Sequence, residues 1–196
     1  MTAPAWVPAE VRFTTPGDWV ALCLPPTETA VDALVADLLA RHPELEPRRN
    51  LVTSVLRSLS EASRVAHCVY AGGAFLPLPG GPLPVTLLVN ALPLEAAGDP
   101  PDLANTAAFG ASTGRRHYST AEVELTCGRA VRAEWLEPAQ LASTDAAVVS
   151  FFTQYFVIPQ GSESLLVLTF SSPAVALAGR LKKLFSDIAA SLDVVP

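Results

Sequence analysis

The stretch VVSFFTQYFVIPQGSESLLVLTFSSP, Val148 to Pro173, is apolar almost throughout and holds a single charged residue, Glu163. A membrane segment, a cavity wall and a plain core would each explain it. Pro159 and Gly161 divide it into two shorter runs, Val148–Ile158 and Leu165–Phe170, joined by PQGSES. Side chains alternate along a strand, so Phe151, Tyr155 and Val157 point one way while Phe152, Phe156 and Ile158 point the other. A strand that is apolar on both sides needs cover on both sides. The stretch therefore reads as two central strands of a sheet, and the rest of the chain must supply their cover.

Upstream, DWVALCLP (Asp18–Pro25) is apolar at both alternating sets, which predicts a strand covered on both faces. TAVDALVADLLARH follows, with a capping box from Thr29 to Asp32 and Val31, Leu34, Val35, Leu38 and Leu39 at helical spacing. A second helix is predicted after Pro47, with Leu51, Val52, Val55, Leu56 and Leu59 on one stripe. The period then changes to that of strands, at His67–Leu76 and Pro84–Leu92 around a Pro/Gly turn. Within the long connection Glu95–Gly114, DPPDLANTAAFG predicts a short helix capped by Asp99 and stopped at Gly110.

YSTAEVELTCGRAVRAEWLEP has the pattern of a hairpin. Ala121, Val123, Leu125 and Cys127, with Val131, Ala133 and Trp135, form the expected buried face, and Glu122, Glu124, Arg132, Glu134 and Glu137 the wet one. Ser172-Pro173 announces a terminal helix whose buried stripe is Leu177, Leu181, Leu184, Phe185, Ile188 and Leu192. Strands and helices do not alternate, so a doubly wound nucleotide-binding sheet is not expected. The predicted class is α+β: an antiparallel sheet of six to seven strands, with the two early helices and the C-terminal helix packed on its faces. Residues 1–196 are expected to form one domain, with 1–10 an extended or mobile N-terminal segment.

That order resembles the PsbP-like fold, with its N-terminal strand bearing GDW, helical insertion, antiparallel sheet and closing helix. The run YFVIPQGSESLLVLTFSSPAVALAGRLKKLFSDIAASL, Tyr155–Leu192, is also similar to the ends of small actinobacterial proteins. The resemblance implies a sandwich whose members serve as a photosystem accessory subunit, a Ran-binding factor or mycobacterial lipoproteins. Many of them act by binding a partner. The lipoprotein signal and cysteine of the mycobacterial members are not found here, so an envelope role is not expected.

Composition narrows the functions further. The net charge is −6, and Lys182 and Lys183 are the only lysines, which argues against nucleic acid and anionic membrane surfaces. Isoleucine occurs only at Ile158 and Ile188, a bias that suits a GC-rich, actinobacterial genome. Val65–Leu94 holds no charged residue, but Pro77, Pro79, Pro82 and Pro84 around Gly80-Gly81 rule out a spanning helix. MTAPAWVPAEVRF lacks the basic and apolar regions of a signal peptide, so a cytoplasmic protein is expected. Cys23, Cys68 and Cys127 form no CxxC pair and are expected to be buried, reduced and inert, with no metal and no cofactor bound.

No catalytic constellation emerges. GASTG, Gly110–Gly114, matches the nucleophile-elbow pattern, but a strand should precede it and a helix follow, the reverse of what is predicted here. His42 falls near a helix end, His67 on a strand, and His117 beside Arg115-Arg116, with no metal-ligand spacing among them. Arg115, Arg116 and His117 form the densest cationic cluster of an acidic chain. They suit either a solvated loop end or a clamp for a carboxylate, a phosphate or an acidic partner surface. Glu122 and Glu124 share the adjoining strand face, read as solvated. These five residues are the candidate binding surface. The expected function is a non-enzymatic interaction or chaperone-like accessory protein, with another protein or a second copy as partner. The alternatives are a small-molecule or lipid-binding domain, or a small hydrolase, using a cavity between sheet and helices.

Overall fold

The computed structural model describes residues 10–94, 115–140, 147–162 and 164–195. In it, β7 (Ala147–Pro159) and β8 (Ser164–Ser172) lie inside a seven-stranded antiparallel sheet. The other strands of that sheet are β2 (Val20–Ala21), β3 (Tyr70–Leu76), β4 (Leu83–Pro93), β5 (Arg116–Leu125) and β6 (Gly128–Gln140), in the order β2-β3-β4-β8-β7-β6-β5. A separate two-stranded sheet joins β1 (Glu10–Arg12) to β9 (Asp193–Val195). Among the described residues, three α-helices pack on the large sheet: α1 (Glu28–Arg41), α2 (Arg49–Val65) and α3 (Ala178–Ala190). The protein is an α+β sandwich, as the pattern predicts.

On one face, α3 lays Leu181, Phe185, Ile188 and Ala189 over Val85, Leu87, Phe151, Tyr155, Leu168 and Phe170. Phe185 stacks on Phe170 with ring centroids 4.7 Å apart and on Phe151 at 6.3 Å. Burying such side chains stabilises the fold by roughly 1.5–3 kcal/mol each. On the other face, α1 and α2 enclose Val31, Val35, Leu38, Val52, Leu56 and Leu59 with Val20, Ala71 and Phe75. A third cluster, with Val131, Ala133, Trp135, Phe156, Leu165 and Val167, occupies that same face over β8, β7 and β6.

The turn between β3 and β4 closes with Gly81 N donating to Leu78 O at 3.0 Å. Gly80 and Gly81 sit at φ +110° and +128°, where a side chain would be strained, so the glycine pair decides where the hairpin reverses.

Several local expectations are corrected. The first large-sheet strand is only Val20–Ala21, at the edge, and Cys23 is exposed rather than buried; Cys68 and Cys127 are half-buried. Thr27 caps α1, its Oγ1 accepting from Ala30 N at 3.2 Å, so the helix begins two residues before the predicted box. His67 lies in a turn at φ +49°, not on a strand. Ser172 ends β8 and donates to Pro84 O at 2.9 Å; a 3-10 turn, Val175–Leu177, separates it from α3. The hairpin turn pairs Leu125 with Gly128, so Glu122, not Val123, stands opposite Val131. Val123 and Leu125 of β5 therefore face the opposite way from Val131, Ala133 and Trp135 of β6. The expected 1–10 extension (apart from Glu10, which opens β1), the helix at 99–110, the GASTG loop and Glu163 lie outside the described residues.

Candidate binding cleft

The helix α2 packs against β3 and β4, while the sheet continues beyond it through β8 and β7. Between them is a cleft of about 270 Å³. One wall is the α2 flank formed by Ser54, Val55, Ser58, Leu59 and Ala62. The floor is sheet: Pro84, Thr86 and Leu88 from β4, Thr169 and Ser171 from β8, Ser150 and Phe152 from β7, with Pro173 at the rim. Among the described residues no charged side chain lines it. Its polarity comes from hydroxyls, and most of those on the floor are engaged with the sheet. Thr86 Oγ1 and Ser171 Oγ share a hydrogen bond of 2.6 Å, and Thr169 Oγ1 accepts from Gln154 Nε2 at 2.9 Å. Ser150 is 7% exposed, and its hydroxyl makes no hydrogen bond among the described residues.

Phe152 ties the cleft to the hairpin. Its ring stacks on Trp135, centroids 5.3 Å apart and planes 5° from parallel. The guanidinium of Arg115 lies 4.0 Å from the Trp135 ring centroid. Arg115 Nε is also 3.6 Å from Glu137 Oε2, which accepts from Trp135 Nε1 at 2.9 Å. Arg115, predicted as a surface anchor, is thus half-buried and packed on an aromatic ring.

The other candidates remain on the surface. Arg116 and His117 are exposed at the start of β5, where the register with β6 slips between Arg116 and Ser119 and His117 takes φ +53°. Such a bulge re-aims side chains at a sheet edge. Glu122 and Glu124 are exposed on the sheet face that carries Trp135 and Phe152, with Glu124 opposite Arg129. Burial pushes the Tyr118 phenol up, against the lowering pull of Arg115.

A second polar group, missed in the sequence, lies beneath α3. Glu134, predicted on the wet face of the hairpin, is only 6% exposed. Its Oε2 is 2.5 Å from Lys182 Nζ, and its Oε1 is 3.2 Å from Arg132 Nε without an aligned hydrogen bond. Opposite it in register, Thr153 is fully buried and its Oγ1 makes no hydrogen bond among the described residues. Tyr155 Oη pairs with Ser186 Oγ at 3.0 Å, and burial raises the phenol's pKa. Two cations and a carboxylate beside this pair fix α3 to β6 and β7. The available signal was that both lysines sit on the helix that must cover the sheet. Among the described residues, no group of three His, Cys, Asp or Glu side chains is placed to hold a metal, and no helix is long and apolar enough to cross a membrane.

No family model matches the chain, and no curated protein matches it. Among solved structures it is similar to LpqN, involved in cell envelope biogenesis of Mycobacterium tuberculosis. The two share 14% identity over 99% of this chain and 87% of that one, with a TM-score of 0.49.

Proposed function

We propose that the protein is a non-enzymatic, cytoplasmic accessory protein on a PsbP-like sandwich, and that it docks another protein on the β5–β6 hairpin. The observation that carries this reading is the position of β5. It is the last strand of the seven-stranded sheet, ten residues long, and its outer edge pairs with no described strand. The edge strand of a sheet is where a partner strand can add. The exposed Arg116, His117, Glu122 and Glu124 give that edge both signs of charge, which selects and orients a partner. The element order, from early strand and helices through the antiparallel sheet to the closing helix, supports the PsbP-like reading.

The test is an Arg116→Ala, His117→Ala double variant, with Arg115 left on Trp135. It keeps the wild-type circular dichroism spectrum and binds the co-purifying partner at least several-fold more weakly, with a shallower salt dependence. Unchanged affinity and salt dependence would place the interaction elsewhere. A second reading, a small-molecule or lipid-binding domain, is favoured by a different observation, the cleft beside α2.

A further inference from the structure

We propose that the cleft between α2 and the sheet binds a free, uncharged small molecule of about ten non-hydrogen atoms, mostly apolar and carrying one hydrogen-bonding group. This rests on the second reading above and names its ligand class.

Size sets the first limit. An apolar cavity of about 150 Å³ accommodates benzene. A cleft of about 270 Å³ scales to roughly ten non-hydrogen atoms, enough for a short chain or a fused ring pair but not for a whole lipid. Charge sets the second. Among the described residues the lining offers no Lys, Arg, His, Asp or Glu, so an ionised group brought inside would lose hydration without a counter-charge from them. The surfaces of Val55, Leu59, Leu88 and Phe152 favour an apolar body.

Polarity sets the third limit. Thr86, Ser171 and Thr169 already have partners within the sheet, whereas Ser150 is more than nine-tenths buried, borders the cleft and has no partner among the described residues. A ligand hydroxyl or carbonyl reaching Ser150 Oγ keeps a hydrogen bond on entering the apolar cleft, where a polar group of the ligand without a partner is costly. Phe152 is shared with the Trp135 stack, so occupancy alters the surroundings of an indole and can be read by fluorescence.

The experiment titrates the full chain with 1-nonanol, nonanoate and nonylammonium, followed by calorimetry and tryptophan emission. The expected result is one-to-one binding of nonanol, at least tenfold tighter than either ion, with a change in emission. Ala62→Phe, which fills the cleft from α2, abolishes that binding, and Ser150→Ala weakens it several-fold. One-to-one binding of all three probes with equal affinity would overturn the ligand class while leaving a binding cleft. No one-to-one binding of any probe, or nonanol binding untouched by Ala62→Phe, would overturn the site and the reading beneath it.

Discussion

The two faces of the large sheet are built from alternate residues of the same strands, yet they are finished differently. Under α3, the middle even-numbered residues of β8 are Leu166, Leu168 and Phe170, each with no exposure, and the Phe151, Phe170 and Phe185 rings stack among them. On the α2 side, β8 presents Leu165 and Val167 at one end but Thr169 and Ser171 at the other. The ladder then gathers the polar residues into one place. Thr86 stands opposite Ser171, and Gln154 opposite Thr169, so hydroxyls and an amide from three strands meet at the cleft floor. Being covered on both sides is one property, and being filled on both sides is another; only the α3 side is filled.

The sharpest way to break that contrast is Phe185→Ala. Removing a fully buried ring from a stacked core costs roughly 3–5 kcal/mol, and Leu181→Ala roughly 2–5 kcal/mol, measured by urea unfolding. A loss under about 1 kcal/mol for Phe185→Ala would show that the α3 face is not close-packed. Leu59→Ala, on the cleft wall, sits at the lower end of the range, about 2 kcal/mol, because one side of that leucine already lacks partner atoms. An equal or greater loss than at Phe185 would erase the distinction between the faces.

Tyr155→Phe probes the polar part of the filled face. It orphans Ser186 Oγ and costs about 1 kcal/mol at neutral pH. The phenol's pKa is raised above 10 on folding, chiefly by burial, so its neutral form is favoured in the native state. That contribution is complete below pH 10 and is lost as pH rises through the raised value. The wild type therefore loses stability on the alkaline side of pH 10. The variant loses less there, while Tyr70, raised by the same cause, keeps part of the slope. Identical alkaline limbs would mean that Tyr155 ionises as freely folded as unfolded.

The smallest effect concerns the thiols. Cys23 is exposed, while burial raises the pKa of Cys68 and Cys127 and starves them of thiolate. A colorimetric disulfide reagent should titrate one thiol promptly in the native protein and the other two slowly, with full reaction on unfolding. Prompt reaction of all three would show that both half-buried cysteines are accessible to solvent.

Long periodic segments were legible because one physical rule governs each of them. The stripes of α1, α2 and α3 and the two-sided apolarity of β7 follow from side-chain spacing alone. The hairpin was legible as two strands but not in its facing. Its turn, Thr126-Cys127, pairs Leu125 with Gly128, so odd positions of β5 meet even positions of β6. Placing Val123 and Val131 on one face would have needed one more residue in the turn. Glu134 then follows from Trp135. Adjacent residues face opposite ways, and the side away from Trp135 is roofed by α3 and its Lys182 rather than by water. The cleft was not legible, since its hydroxyls come from α2, β4, β7 and β8 and meet only through the ladder. Nor was the β1–β9 ladder, whose three-residue strands are too short to show a period.

That small ladder has a mechanical consequence. Glu10 pairs with Val195 and Arg12 with Asp193, so chain entering β1 and chain leaving β9 meet at the same end of an antiparallel pair. Tension applied through both ends opens its bonds one after another, as a zip, instead of loading them together in shear. Under pulling, the β1–β9 pair yields first and at low force, with the Thr14–Ser191 contact next in line. The seven-stranded sheet bears the load only after this fuse has opened.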